Sequence, residues 1–121
     1  MIAVIFELEA AEGQRDTYLQ LAAELKPLLA QIDGFISIER FQSLSTPDKL
    51  LSLSFWRDEE AVRQWRNIEQ HRSAQAAGRQ SVLSHYRLRV ADVVRDYGLQ
   101  QREQAPTDSR EFHVGEKSRA Q

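Results

Sequence analysis

The chain contains no cysteine, which excludes disulfides, thiolate catalysis, iron–sulfur clusters and cysteine-held zinc. Its five glycines are isolated, so no Gly-rich phosphate loop and no Gly-x-Ser-x-Gly elbow is present. Neither charge sign is in large excess: 16 Lys+Arg stand against 18 Asp+Glu, a formal charge of −2. A broad basic field for nucleic acid or an anionic membrane is therefore not expected. No apolar run approaches the roughly 20 residues of a membrane span. Met1 leads straight into Ile2-Ala3-Val4-Ile5-Phe6 without a basic n-region, which predicts a cytoplasmic protein without a signal peptide. No metal site is expected either, since Asn67 and His71 share the i, i+4 spacing but an amide is a weak ligand.

What is present fits one domain of 121 residues with 41% hydrophobic content. Ile2, Val4, Phe6 and Leu8 alternate with Ala3, Ile5, Glu7 and Glu9, the period of a strand. From Gln14 the period changes, and Tyr18, Leu21, Ala22, Leu25, Leu28, Leu29 and Ile32 mark one face of a helix. Pro27 inside it predicts a kink or a restart, and Asp33-Gly34 predicts its end. Phe35–Leu44 and Leu50–Arg57 read as a hairpin around a Pro-containing turn. Asp58 caps a second helix with Ala61, Val62, Trp65 and Ile68 on one stripe, continuing to about Gly78. Tyr86–Val94 forms the last strand.

The order β-α-β-β-α-β predicts a ferredoxin-like α+β fold, a four-stranded antiparallel sheet with both helices on one face. The uncovered face should then be polar. Instead both faces of each of the first three strands carry large apolar groups: Ile2, Val4 and Phe6 against Ile5, Ile36 and Ile38 against Phe35 and Phe41, and Leu51, Leu53 and Phe55 against Leu50 and Trp56. Such a surface predicts a homodimer in which two sheets pack face to face as an α+β barrel. Residues 1–98 form the domain. Residues 99–121, whose large apolar groups are Leu99, Phe112 and Val114, form a polar C-terminal tail that composition alone reads as disordered and that, if ordered, is expected to lie across the partner subunit.

With this element order, the Asp33-Gly34-Phe35 turn, and Phe55-Trp56-Arg57-Asp58-Glu59-Glu60-Ala61 leading to Trp65, residues 1–96 resemble the antibiotic biosynthesis monooxygenase family. The resemblance implies a dimeric α+β barrel with a pocket between sheet and helices. It also implies, as one activity, cofactor-independent oxygenation of an aromatic or quinol-like molecule by dioxygen. A second activity it implies is heme binding and degradation, and a third option is a non-catalytic small-ligand-binding dimer. The heme-degrading branch uses an Asn on the first strand and a Trp and a His on the second helix. Trp65 matches the Trp, but Phe6 or Glu7 stands at the Asn position and Gln75 at the His position, with His71 nearer by one helical turn.

Asn67, His71 and Gln75 recur at i, i+4 and i+8, with Trp65 bordering them. His71 suits a general base because its ordinary pKa is near neutral. Asn67 and Gln75 could hydrogen-bond a developing oxyanion. The same stripe also reads as the solvent edge of an amphipathic helix, and Trp65 as a core residue. Glu39 and Arg40 point to opposite faces of the second strand, so one of them addresses the helix side. Arg40 could hold an anionic substrate or pair with a carboxylate, and Glu7 is an alternative base if burial raises its pKa.

Overall fold

The computed structural model describes residues 1–75 and 82–109, with the backbone alone described for 70–75. Its elements are β1 (Ile2–Ala10), α1 (Arg15–Ala30), β2 (Phe35–Gln42), β3 (Lys49–Trp56), α2 (Glu59–Gln75) and β4 (Leu83–Asp92). The strands form one sheet in the order β2-β3-β1-β4, and every neighbouring pair is antiparallel. This is the ferredoxin-like split β-α-β arrangement read from the sequence. Two core clusters join the sheet to the helices. Ile2, Val4 and Trp56 meet Leu29 and Ile32, together with Ala61 and Val62 of α2. Leu8 and Leu50 meet Tyr18 and Ala22 of α1. Both helices thus cover one face of the sheet, here called the helix side; the other is the open face.

α1 runs unbroken through Pro27 and does not restart there. Proline removes its own N–H and crowds the carbonyl four residues back. Pro27 is exposed, so that carbonyl can turn to water. Tyr18, Ala22 and Leu29 point inward at helical spacing. The chain reverses at Gly34, whose φ of +98° lies in the left-handed region. A Cβ there would come to 2.9 Å from the Cβ of Ala61, so glycine is required by both conformation and space. The Gly34 carbonyl accepts the Arg57 N–H at 2.7 Å, and Arg57 grips Asp33 through both terminal nitrogens at 3.2 Å. The start of α2 is therefore fixed against the start of β2. Asp58 caps α2, its Oδ1 accepting the Ala61 N–H at 3.0 Å. That bond, with Arg57 beside it, holds the Asp58 carboxyl below the usual range.

β2 departs from simple alternation. Its register to β3 shifts between Phe35 and Ser37, so Phe35 and Ile38 both pack on the core while Ile36 is 52% exposed. The reading that grouped Ile36 with Ile38 is corrected by this bulge, since one extra residue reverses the parity of everything before it. β4 ends at Asp92, so Val94 lies beyond it. Past the sheet, residues 96–109 fold on themselves. Arg102 donates to the carbonyls of Gly98 and Ser109 and lies over the Tyr97 ring, 5.2 Å from its centre. Ala105 is buried. Phe112, His113 and Val114 fall outside the described residues.

Candidate active site

Pairing decides which side chains share the helix side. From the α2 start downward, the rows across the sheet are Phe35–Trp56–Ile2–Asp92, Ile38–Ser54–Val4–Val90, Arg40–Ser52–Phe6–Leu88 and Gln42–Leu50–Leu8–Tyr86. The first two rows lie within or beside the first core cluster and the last beside the second. Trp56 is fully buried, and its indole N–H donates to Ser54 Oγ at 2.9 Å. It contacts the rings of Phe35 and Trp65, 5.2 and 5.8 Å away centre to centre.

Along β4 the helix side is not filled. Tyr86, Leu88 and Val90 are 62%, 41% and 45% exposed, and the Tyr86 ring meets Phe6 edge-on at 5.7 Å. An apolar and aromatic stripe thus stands open on the face the helices otherwise cover. Alternation puts Tyr86, Leu88 and Val90 on one face of β4, and the sequence alone assigns them no role. Which face they share emerges only from the β1 pairing.

Trp65 is half-buried and packs against the first cluster, which satisfies the core reading and keeps it in the layer between sheet and helices. Asn67 is exposed. At 100° per residue it stands about 200° around the helix from Trp65, so the structure does not bring these two together. His71 and Gln75 lie within α2, and their side chains fall outside the described residues.

Glu69 is a residue the sequence reading, which followed the Asn67–His71–Gln75 stripe of this helix, passed over. It sits four residues after Trp65 and seven after Val62, on the same stripe. It is half-buried and has no ion-pair or hydrogen-bond partner among the described residues. Burial pushes its carboxyl above the ordinary carboxylate pKa.

Arg40, not Glu39, faces the helix side, directly across from Ser52. Its Nε is buried without a partner, and its side chain forms no ion pair among the described residues. Glu7 lies on the open face, away from Trp65, between Lys49 at 3.2 Å and Arg89 at 3.5 Å. The Lys49 hydrogen bond and charge, with Arg89, hold its carboxyl below the usual range despite partial burial. The condition on which Glu7 was an alternative base, a pKa raised by burial, is not met: the neighbouring cations outweigh desolvation.

Two crevices open on that same face. One of about 230 Å³ is lined by Glu7, Leu8, Glu9, Lys49, His85, Arg87 and Arg89. The other, about 270 Å³, lies beside Phe41 and Leu51. Neither lining includes Trp65. Among the described residues no cluster of three or more His, Cys, Asp or Glu is placed to hold a metal, and no helix is long and apolar enough to cross a membrane. For heme, of the two candidates for the family's Asn position, Phe6 faces the helix side and offers a ring to Tyr86 rather than a hydrogen bond, and the side chains of His71 and Gln75 fall outside the described residues.

The fold defines a small α+β domain in which two helices cover one face of a four-stranded antiparallel sheet. The chain belongs to the antibiotic biosynthesis monooxygenase family, whose sequence profile matches residues 1–77. It is 53% identical over 93 residues to a jasmonate monooxygenase of Pyricularia oryzae, a match covering 77% of this chain and 43% of that protein. The chain thus spans less than half the length of that relative. Among solved structures it is similar to Rv0793 from Mycobacterium tuberculosis, with a TM-score of 0.68 and 17% identity over 80% of this chain and 98% of that one. It also resembles a variant of MhuD that has two manganese protoporphyrin IX molecules bound per active site. There the TM-score is 0.63 and the identity 20%, over 81% of this chain and 99% of the other. At these identities the structural likenesses concern the fold alone.

Proposed function

We propose that the protein is a monooxygenase that acts as a homodimer, without a bound cofactor, on a small aromatic or quinol-like molecule. The observation that carries this reading is the open stripe of Tyr86, Leu88 and Val90 beside Phe6, on the side of the sheet where α2 brings Trp65 and Glu69. Apolar surface of this kind binds a planar or alicyclic molecule by excluding water. The chemistry needs one proton acceptor. A carboxylate raised by burial, Glu69, or the imidazole of His71 takes the acidic proton of a bound phenol. The electron-rich anion passes one electron to dioxygen, the radical pair closes a C–O bond, and the hydroperoxide loses water to leave a quinone. One oxygen atom enters the product and the other leaves as water, so no external reductant is required. Gln75 remains the proposed hydrogen-bonding group of α2 and Arg40 the proposed anchor for an anionic substituent, while Asn67, exposed on the far side of α2 from Trp65, is not placed to join them. The role proposed for residues 99–121 is to lie across the partner, so deleting them should weaken the dimer.

Oxygen uptake with a panel of quinols, anthrones and jasmonate tests the reading, the last included because of the 53%-identical relative. With labelled dioxygen, a turned-over substrate should gain one labelled atom. Glu69→Gln and His71→Ala then identify the base, by at least a tenfold loss in one of them. Tight binding of panel members with no oxygen consumed would replace this reading with that of a ligand-binding dimer.

A further inference from the structure

We infer that Arg40 and Ser52 form a carboxylate subsite, so that the molecule taken up is a ring carrying a short carboxylate arm rather than a neutral quinol. The inference rests on the apolar helix-side site proposed above and names the substrate class that site selects. Among the polar groups that the sheet turns toward the helices, Ser54 accepts the Trp56 indole N–H and Gln42 donates to the Pro47 carbonyl at 2.8 Å. Asp92 stands in water at the end of the sheet. Arg40 and Ser52 are left, directly opposite each other on β2 and β3. Ser52 is buried, and its hydroxyl has no hydrogen-bond partner among the described residues. Arg40 is half-buried, and its Nε is sealed from water without a partner.

A guanidinium is charged at every accessible pH, and a partly buried one is destabilising unless an anion pairs with it. No described acid of this chain does so. Glu39 and Glu7 lie on the open face, Asp92 stands two rows away, and Glu69 makes no ion pair. The kind of anion follows from the row. Arg40, Ser52, Phe6 and Leu88 stand side by side across the sheet, grading from a cation through a hydroxyl to an aromatic ring and an exposed apolar edge. A guanidinium presents a planar fork that matches a carboxylate with two parallel hydrogen bonds, and a serine hydroxyl can donate a third. Arg40 is the one cation in the helix-side rows, so it balances a single negative charge and leaves a phosphate dianion half-neutralised. Phe6 and Leu88 lie two and three strand spacings from the Arg40 backbone, about 10 and 14 Å. An extended arginine spans much of that distance, so a short arm sets the ring on Phe6 and Leu88.

The test is isothermal titration calorimetry with phenylacetate, naphthylacetate and phenylbutyrate, each against its methyl ester, which has the same ring and no charge. The best-bound acid should bind the parent at least about tenfold more tightly than its ester. Arg40→Met keeps the apolar stem and removes the charge; it should weaken the acid about tenfold and leave the ester within about threefold. Arg40→Lys, a charge without the fork, should recover part of the preference. Ser52→Ala should weaken the acid by about threefold to tenfold and leave the ester unchanged, whereas Leu88→Ser should weaken both alike. Because no counter-charge is lost, Arg40→Met should melt no lower than the parent, and the acid should raise the Tm of the parent but not of this variant. A lower Tm for Arg40→Met overturns the inference, since the guanidinium would then have a structural partner. Equal binding of acid and ester overturns it too, while ester binding that depends on Leu88 leaves the apolar site standing. A preference lost in Arg87→Gln but kept in Arg40→Met overturns it by moving the anion to the open-face crevice. Binding of neither compound overturns the inference together with the apolar site, and oxygen uptake tests the monooxygenase chemistry separately.

Discussion

Replacing Gly34 with alanine separates two costs that usually arrive together. Gly34 has φ +98° and a would-be Cβ 2.9 Å from Ala61 Cβ, whereas Gly13 has φ +75° with nothing within 4 Å. A left-handed alanine costs about 1–2 kcal/mol, offset by about 0.4–1 kcal/mol from the stiffer unfolded chain. Gly13→Ala should therefore cost about 0.5–1 kcal/mol. Gly34→Ala adds the overlap with Ala61, and overpacking of this kind costs about 1–3 kcal/mol. The sum is about 2–4 kcal/mol, a drop in Tm of roughly 10–20 °C for a domain near 100 residues. Neither partner can yield easily, because Arg57 ties the Gly34 carbonyl and Asp33 to the start of α2. Urea denaturation of the two variants is the assay, read as a change in midpoint at constant slope. Adding Ala61→Gly to Gly34→Ala should recover the overlap but not the backbone cost. Equal destabilisation by the two single variants would refute the reasoning, because the close approach would then contribute nothing.

Trp56→Phe should cost about 2–4 kcal/mol, from the cavity left by the lost ring and from Ser54 Oγ left without its indole donor. Pairing it with Ser54→Ala should return about 1 kcal/mol of that in the same urea assay. Glu69→Gln should raise the urea midpoint at pH 7. The folded carboxyl titrates above its unfolded value, so ionising it destabilises the fold progressively as pH rises past about 4.3. The gain should therefore vanish in acid, and a gain independent of pH would argue against a buried ionised Glu69.

Element order was legible because alternation and helical spacing report which groups must leave water, and the six elements follow from that alone. What alternation cannot report is parity relative to the sheet. Arg40 and Glu39 were known to oppose one another, but only the Arg40–Ser52 pairing turns Arg40 to the helix side. The bulge at Ile36 broke the pattern without a glycine or proline to announce it. Helical spacing put Asn67 near Trp65 on a linear count, yet their separation around the axis leaves Asn67 in water. Glu69 escaped notice for the reverse reason. Its place on the stripe was readable, but an acid is discounted there unless one asks what burial would do to it.

β3 joins fold to function most directly. Leu50, Ser52, Ser54 and Trp56 lie buried beneath the helices, while Leu51, Leu53 and Phe55 are half-buried on the open face. A sheet selected to stand alone would reverse this, placing leucines inside and serines in water. Two hydroxyls on the helix side bring little hydrophobic stabilisation but keep that layer shallow, and Ser54 is what lets an indole be buried there with its N–H satisfied. The larger apolar side chains are then available to the other face, where only another surface can cover them. The division explains why the helix side can leave Tyr86, Leu88 and Val90 open without the domain depending on them. In the proposed homodimer, burial against a partner would supply the stability that a filled helix side otherwise has to provide, leaving the Tyr86–Leu88–Val90 stripe to the proposed substrate.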